Sequence, residues 1–137
     1  MTLVVGSSVV LAWIYDDERT DDLDRILRRV EDTGAWVPGI WRLEIANSLQ
    51  QNIRRKRIDR IYRDRSVMDL LRLPFNVDRE THDNAWTRTL VLADELGLMS
   101  FDACYLELAE RRGLPLATLD RELQRAATDI GVAHLPA

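Results

Sequence analysis

Short apolar runs alternate along the chain with longer segments in which apolar residues recur at helical spacing. The first run, 3–5, contains two β-branched valines and ends at Gly6, which is typical of a buried strand. The predicted strands are 3–5, 35–37, 75–77, 114–118 (beginning only after Pro115) and 132–135. The predicted helices are 9–15, 20–31, 40–55, 58–71, 81–96, 100–113 and 120–127. This alternation predicts a single α/β domain over residues 1–137, a three-layer α/β/α fold whose central, mainly parallel sheet has about five short strands.

Local signals predict which residues cap the helices and which enter the core. Ser100 has the side chain of a good N-cap, and Gly113 is suited to a helix end. Each long amphipathic segment is expected to bury one apolar stripe. In 40–55 the stripe consists of Leu43, Ala46, Leu49 and Ile53. The four tryptophans, which lie in apolar patterns and are predicted to pack in the core, are Trp13, Trp36, Trp41 and Trp86.

The composition is that of an ordinary globular domain and excludes several classes of protein. Hydrophobic residues make up 46% and charged residues 31% of the 137 residues, which argues against intrinsic disorder. The longest apolar segment, 3–15, is interrupted by Gly6 and two serines, so no membrane span is predicted. Because the chain lacks a signal-peptide pattern and has one cysteine, Cys104, we expect a cytoplasmic protein without disulfides or a classical zinc site.

The charge is distributed unevenly, although the net charge is only −4. Residues 54–65 hold seven basic and two acidic residues, a net +5, so the rest of the chain carries −9. Such an arginine-rich patch can hold phosphate groups by charge and by bidentate contacts. The alternative is a solvated helix face, and the charge pattern alone does not separate the two.

Three acidic residues follow predicted strands closely enough to share a site. Glu44 follows the second strand, Asp102 lies in the first turn of the helix that begins at Ser100, and Asp120 directly follows the fourth strand. Ligands of parallel sheets bind at the carboxyl ends of the strands, and clustered carboxylates repel each other unless a cation or protons neutralise them. All-oxygen ligation suits Mg²⁺ or Mn²⁺. Each acid also has a structural explanation, since Asp102 favours a helix N-terminus, Asp120 is a possible N-cap and Glu44 adjoins an apolar stripe.

Four blocks of sequence combine apolar runs with particular polar residues. The first block, 4–13, is an apolar strand followed by Ser-Val and a tryptophan, and the second, 37–49, has a proline, Leu-Glu and Asn. The third, 98–109, has the run Asp-Ala-x-Tyr-Leu, and the fourth, 113–123, has a strand ending in Thr-x-Asp. In these motifs and their order the chain resembles PIN-domain proteins, especially the VapC-type toxins of bacterial toxin–antitoxin pairs. The resemblance spans residues 3 to 123 and implies a PIN-like fold.

The resemblance implies an endoribonuclease that uses Mg²⁺ or Mn²⁺ to hydrolyse RNA phosphodiester bonds. Its catalytic residues and metal ligands would be Glu44, Asp102 and Asp120. In one place the chain departs from the family, because Gly6 stands where the family carries its first acidic ligand. A missing ligand should weaken metal binding by at least the ~10–100-fold known for residues that only support ligands. We therefore expect weak or absent activity in this chain.

Further residues and partners are implied by the same resemblance. The residues expected to support the ligands or contact phosphate are Ser8, Asn47 and Thr118. With RNA as the expected substrate, the charge pattern adds the hypothesis that the basic segment 54–65 steers the RNA backbone towards the acids, with Arg54, Arg55 and Arg57 as its RNA-binding residues. The implied partners are a cognate antitoxin, which one or two of the tryptophans would help to bind, an RNA substrate and a second copy of the chain in a homodimer.

Two other functions are consistent with parts of this pattern. One is a non-catalytic binding module with the same fold, which retains only antitoxin or RNA contacts and differs from the nuclease at the metal. The other is an unrelated α/β phosphatase or a response-regulator-like domain, which also places acids after strands. The second is disfavoured because Gly6 occupies the position where its nucleophilic aspartate is required.

Overall fold

The computed structural model describes the backbone of residues 1–137 and the side chains of residues 1–15 and 17–137. Its strands are β1 (Val4–Val5), β2 (Ala35–Val37), β3 (Phe75–Val77), β4 (Leu116–Ala117) and β5 (His134–Leu135). Its α-helices are α1 (Ser7–Ile14), α2 (Asp21–Thr33), α3 (Trp41–Arg54), α4 (Arg60–Leu71), α5 (Leu90–Leu96), α6 (Ser100–Arg112) and α7 (Arg121–Asp129). A 3₁₀ turn (Asp16–Glu18) follows α1, and a π-helical turn (Ala85–Thr89) leads into α5.

All strand pairs are parallel, and the sheet order is β3-β2-β1-β4-β5. This confirms the predicted α/β/α architecture, with all five predicted strands present in a sheet flanked by helices. β1 lies in the middle and is fully buried, as expected for a short apolar strand covered on both faces. The chain adds β2 and β3 on one side of β1 and then β4 and β5 on the other. The strand order therefore reverses between β1 and β4, and their carboxyl ends open onto the place where α/β sheets bind ligands.

Two of the predicted helices differ in phase or extent from the structure. Instead of one helix over 81–96, the chain forms a π-helical turn in which the Thr89 amide donates to the Asn84 carbonyl, five residues earlier. This wider turn shifts the helical phase, so Thr89 and Leu92 are buried whereas Trp86 is 88% exposed. In α3 the buried residues are Trp41, Ile45 and Leu49. The predictions that Trp86 is in the core and that Leu43 and Ala46 are buried are therefore wrong.

The predicted capping of α6 is also wrong. Met99 is its N-cap and makes no side-chain capping bond, and Ser100 is the first helical residue. At the other end, Gly113 adopts a left-handed conformation with φ 65°, as the helix-end prediction required. Trp13 and Trp41 are buried as expected, whereas Trp36 is only partly buried and carries the Arg112 guanidinium 3.4 Å above its ring.

A buried ion-pair network anchors the C-terminal end of α6 to the loop after β3. The Asp78 side chain is completely buried and accepts hydrogen bonds from Thr81 (2.8 Å), Arg111 (2.7 Å) and Arg112 (3.2 Å). Burial would raise the pKa of Asp78, but these donors lower it to about 2. Arg111 also pairs with the buried Glu107 one helical turn earlier, at 2.8 Å. Because α6 carries Asp102 at its other end, this network fixes the helix that brings Asp102 to the sheet.

No helix in the described part of the chain combines the length and the apolar character that crossing a bilayer requires.

Candidate active site

Glu44 and Asp102 come together at the carboxyl edge of the sheet, because each lies in the first turn of a helix that starts there. Burial raises the pKa of Glu44, and the charge of Asp102 raises it further. The pKa of Asp102 is likewise raised, first by burial and then by the charges of Asp120 and Glu122. Among the ion pairs between described side chains, none includes Glu44, Asp102 or Asp120. The three acids therefore share a region of uncompensated negative charge.

Tyr105 holds Glu44 in place. Its hydroxyl donates to Glu44 Oε1 at 2.6 Å, and the residue is only 2% exposed. Burial and the Glu44 charge raise the pKa of Tyr105, whereas a hydrogen bond with Ser7 lowers it. This contact was not predicted from the sequence, although Tyr105 lies three residues after Asp102, on the same side of α6. It fixes one carboxylate oxygen of Glu44 and joins α3 to α6 inside the site.

Ser8, Thr118 and Asp120 meet on the other side of the edge, where β1 and β4 end. The Ser8 and Thr118 hydroxyl oxygens are 3.4 Å apart; Ser8 Oγ accepts from the Leu119 amide, and Thr118 Oγ1 accepts from the Asp120 amide. Asp120 Oδ1 accepts from the Glu122 amide at 2.9 Å and caps α7. These hydroxyls thus shape the loop that carries Asp120, and the N-cap explanation of Asp120 holds alongside its electrostatic effect on Asp102.

Gly6 lies directly after β1 and beside Ala117 and Thr118 at the end of β4. Its φ of −76° and ψ of 155° are ordinary extended values, so the backbone conformation does not require glycine. Its amide donates to the Ala117 carbonyl at 2.7 Å, and a Cβ at this position would lie 3.0 Å from that oxygen and 3.7 Å from Thr118 Oγ1. Gly6 is also the N-cap of α1, without a side-chain capping bond. A side chain here would be tightly packed and would start between β1 and β4.

The acids have the donor chemistry of a hard-cation site, but they do not close around one point. The charge of Asp102 acts on Glu44 and the charge of Asp120 acts on Asp102, and we call these three residues the row of acids. Among the described side chains, no group of three or more His, Cys, Asp or Glu residues is close enough to hold a metal ion. Oxygen donors with uncompensated charge fit Mg²⁺ or Mn²⁺, and Gly6, which directly follows β1, adds no side chain to them.

A cleft of about 450 Å³ opens beside Glu44, and we call it the Glu44 cleft. Glu44, Asn47 and Ser48 of α3 and Ser7 of α1 provide its polar lining. Of the residues predicted to support the ligands or contact phosphate, Asn47 lines this cleft. It is exposed and lies one turn after Glu44.

The basic residues lie at the far end of α3. Arg54 is ten residues after Glu44 on the same helix, which corresponds to ~15 Å along its axis. Arg54 and Arg55 are exposed and take part in none of the ion pairs found between described side chains. Arg57 instead pairs with Asp17 at 3.4 Å and stacks on the Tyr15 ring at 4.3 Å. Of the three predicted RNA-binding arginines, Arg54 and Arg55 are therefore more available to bind a phosphate than Arg57 is.

The fold and the site together define an α/β protein with an acidic site at the carboxyl edge of a 3-2-1-4-5 parallel sheet. Residues 3–129 match the PIN-domain family, and the chain belongs to that family. Over 127 residues it is 27% identical to Ribonuclease VapC3 from Pyrobaculum aerophilum, an alignment that covers 90% of this chain and 92% of that protein. The crystal structure of PAE2754 from Pyrobaculum aerophilum superposes with a TM-score of 0.71 at 24% identity, covering 98% of this chain and 90% of that chain. The predicted PIN-like fold is thereby confirmed.

Proposed function

We propose that this chain is a divalent-metal-dependent endoribonuclease of the VapC toxin type, which hydrolyses RNA phosphodiester bonds, and that Gly6 leaves it with weak activity or none. The observation that carries the proposal is the uncompensated pair Glu44 and Asp102 at the reversal point of the sheet. The similarity to a protein named a ribonuclease supports the same function.

In this proposal each acid has its own role at the site. A bound Mg²⁺ or Mn²⁺ would neutralise phosphate charge and lower the pKa of a water molecule. Asp102 is the principal ligand, and Asp120 is an outer ligand whose position is fixed by its capping bond to α7. Glu44 is either a ligand or the base that accepts the proton of the attacking water, a task favoured by its raised pKa and by the Tyr105 hydrogen bond that orients it.

The proposal includes protein partners, namely a cognate antitoxin and a second copy of the chain. Helix α4 has no buried residue, and its large apolar side chains Ile61, Met68 and Leu71 are exposed. Such a patch is suited to contact with another protein. A second candidate function is a non-catalytic binding module, which is favoured by one observation: among the described residues the acids do not form a three-ligand group.

The metal-binding part of the proposal predicts a specific thermal response. Mn²⁺ is expected to raise the melting temperature of the chain, since a ligand that binds only the folded state stabilises it. Asp102→Asn should remove most of this rise, whereas Asp94→Asn, which changes an exposed acid of α5, should leave it intact. In EDTA, Asp102→Asn should instead melt at a higher temperature than the parent, because burial and the charges of Asp120 and Glu122 disfavour the Asp102 carboxylate. Equal Mn²⁺ responses in both variants would favour the binding module.

The basic segment predicts how RNA binding depends on salt. Replacing Arg54 and Arg55 with glutamine should weaken binding of single-stranded RNA and reduce the salt slope by ~0.7 for each phosphate that is no longer neutralised. The matched control is Arg28→Gln with Arg125→Gln, which removes the same charge from exposed positions on α2 and α7. Fluorescence anisotropy at several salt concentrations gives the slopes. If the two double variants have the same slope as the parent, the basic segment does not bind RNA.

A further inference from the structure

The Glu44 cleft has an apolar rim that the chemistry of the acids leaves unexplained. Leu43 is 75% exposed and Phe101 is 59% exposed, and both line the cleft. They come from different helices, Leu43 from the first turn of α3 and Phe101 from the first turn of α6. Each immediately precedes one of the paired acids, Glu44 and Asp102. Two large apolar side chains are thus held at the mouth of a charged site.

The backbone at Phe101 is anchored, although the ring is exposed. Cys104, one turn later in α6, donates its thiol hydrogen to the Phe101 carbonyl at 3.0 Å. α6 itself is buried over residues 103–109 and is anchored at its far end by Asp78. The ring therefore projects from a rigid helix, as expected of a side chain that presents a surface to a ligand.

A nucleotide has the chemistry that matches this cleft. A cation held by the acids would attract the phosphate of the nucleotide. The base combines an apolar face with a hydrogen-bonding edge. Aromatic side chains stack on the faces of unpaired bases, and the amide of a residue such as Asn47 supplies both a donor and an acceptor for a base edge. A paired base in a duplex does not present its face, because its neighbours already cover it.

We propose that the Glu44 cleft binds one unpaired nucleobase next to the cleaved phosphate, with Phe101 stacked on the base, Leu43 bordering it and Asn47 available to its polar edge. This inference rests on the proposed function, because it takes RNA as the ligand. Phe101 acts here as a positioning residue, which places the phosphodiester against Glu44 and Asp102 without taking part in the chemistry.

The test is a double-mutant cycle between the Phe101 ring and the bases of the RNA. The probes are a single-stranded decamer of adenylate and a decamer with the same backbone in which abasic spacers replace every base. Affinities of the parent chain, Phe101→Ala, Phe101→Tyr and Trp86→Ala are measured by anisotropy in Mg²⁺, with the RNA checked for integrity afterwards. Trp86→Ala is the matched control, since it removes an aromatic ring that is exposed but lies outside the cleft.

We expect Phe101→Ala to weaken binding of the adenylate decamer about fivefold or more and to leave binding of the abasic decamer unchanged. Phe101→Tyr should retain the affinity of the parent. Trp86→Ala should leave the affinities for both decamers unchanged. A loss of equal size on both decamers, or no loss on either, would overturn the proposal while leaving the nuclease function standing; the latter result is expected if the cleft takes an apolar segment of a protein partner. If the parent chain binds neither decamer, both this proposal and the proposed nuclease function are contradicted.

Discussion

Replacing Asp78 with alanine is expected to destabilise the folded chain by about 3–5 kcal/mol, the usual cost of removing one member of a buried ion pair. Asp78 is completely buried and contacts both Arg111 and Arg112. Without it, the ion-pair partner left to Arg112 among the described side chains is Glu80, at 4.0 Å. The C-terminal end of α6 is then no longer tied to the loop after β3. Urea unfolding followed by circular dichroism measures the loss of stability.

The matched control for this prediction belongs to the same network. Glu80 contacts Arg111 at 3.1 Å but its side chain is 61% exposed, so Glu80→Ala should cost ~1 kcal/mol or less. If the two variants lose similar amounts of stability, the buried network is not what anchors α6.

The same network predicts how stability depends on pH. The pKa of Asp78 is lowered from 3.8 to about 2, so its contribution is complete above pH 3.8 and is lost as the pH falls through 2. The parent chain should therefore lose stability over this range, and Asp78→Ala should lose less over the same range. Parallel curves for the two proteins would contradict the assignment of acid sensitivity to Asp78.

Replacing Gly6 with aspartate is expected to raise the affinity of the chain for Mn²⁺ by about tenfold or more. A side chain at this position begins between β1 and β4, and a carboxylate there supplies a ligand that Gly6 cannot. The extended conformation of Gly6 accepts aspartate, and an aspartate N-cap suits α1, whereas the 3.0 Å approach of a Cβ to the Ala117 carbonyl requires a small shift. Isothermal titration with Mn²⁺ gives the affinity.

Gly6→Asn is the control that separates shape from charge, because it has nearly the same volume and capping ability as the aspartate. In EDTA we expect Gly6→Asp to be less stable than Gly6→Asn, since a further carboxylate joins Asp102 and its neighbours, and we expect Mn²⁺ to reverse that order. Equal Mn²⁺ affinities for the two variants would show that residue 6 is not a ligand position.

Local sequence signals account for most of the secondary structure. The strands 35–37 and 75–77 are found with the predicted bounds, because Gly34 and Pro38 delimit the first and Pro74 directly precedes the second. Errors occur where the helical phase depends on distant contacts. Trp86 is exposed because a π-helical turn precedes α5, and the buried stripe of α3 is set by contacts with α1 and by the packing of Trp41 on Phe75 of β3. Neither the π-helical turn nor the contacts of α3 can be recognised from the local spacing of apolar residues.

The sequence likewise predicts the acids of the candidate site but not the contacts that hold them in place. Glu44 and Asp102 could be proposed from the sequence because the carboxyl ends of parallel strands meet at one edge, and the structure places their charges within reach of each other. The hydrogen bond from Tyr105 to Glu44 joins residues 61 positions apart, and the contacts of Asp78 with α6 join residues 33 and 34 positions apart. Such contacts follow from the packed fold and not from spacing along the chain.

In the proposed function, Glu44, Asp102 and Asp120 form a metal-dependent RNA-cleaving site that Gly6 disables. The most direct test is cleavage of a mixed RNA substrate by the parent chain, Gly6→Asp and Gly6→Asn, each in Mn²⁺, in Mg²⁺ and in EDTA. We predict that Gly6→Asp cleaves RNA at least about 100-fold faster than the other two, and that EDTA abolishes the cleavage. Equal cleavage by all three proteins, or cleavage by none of them, would contradict this proposal.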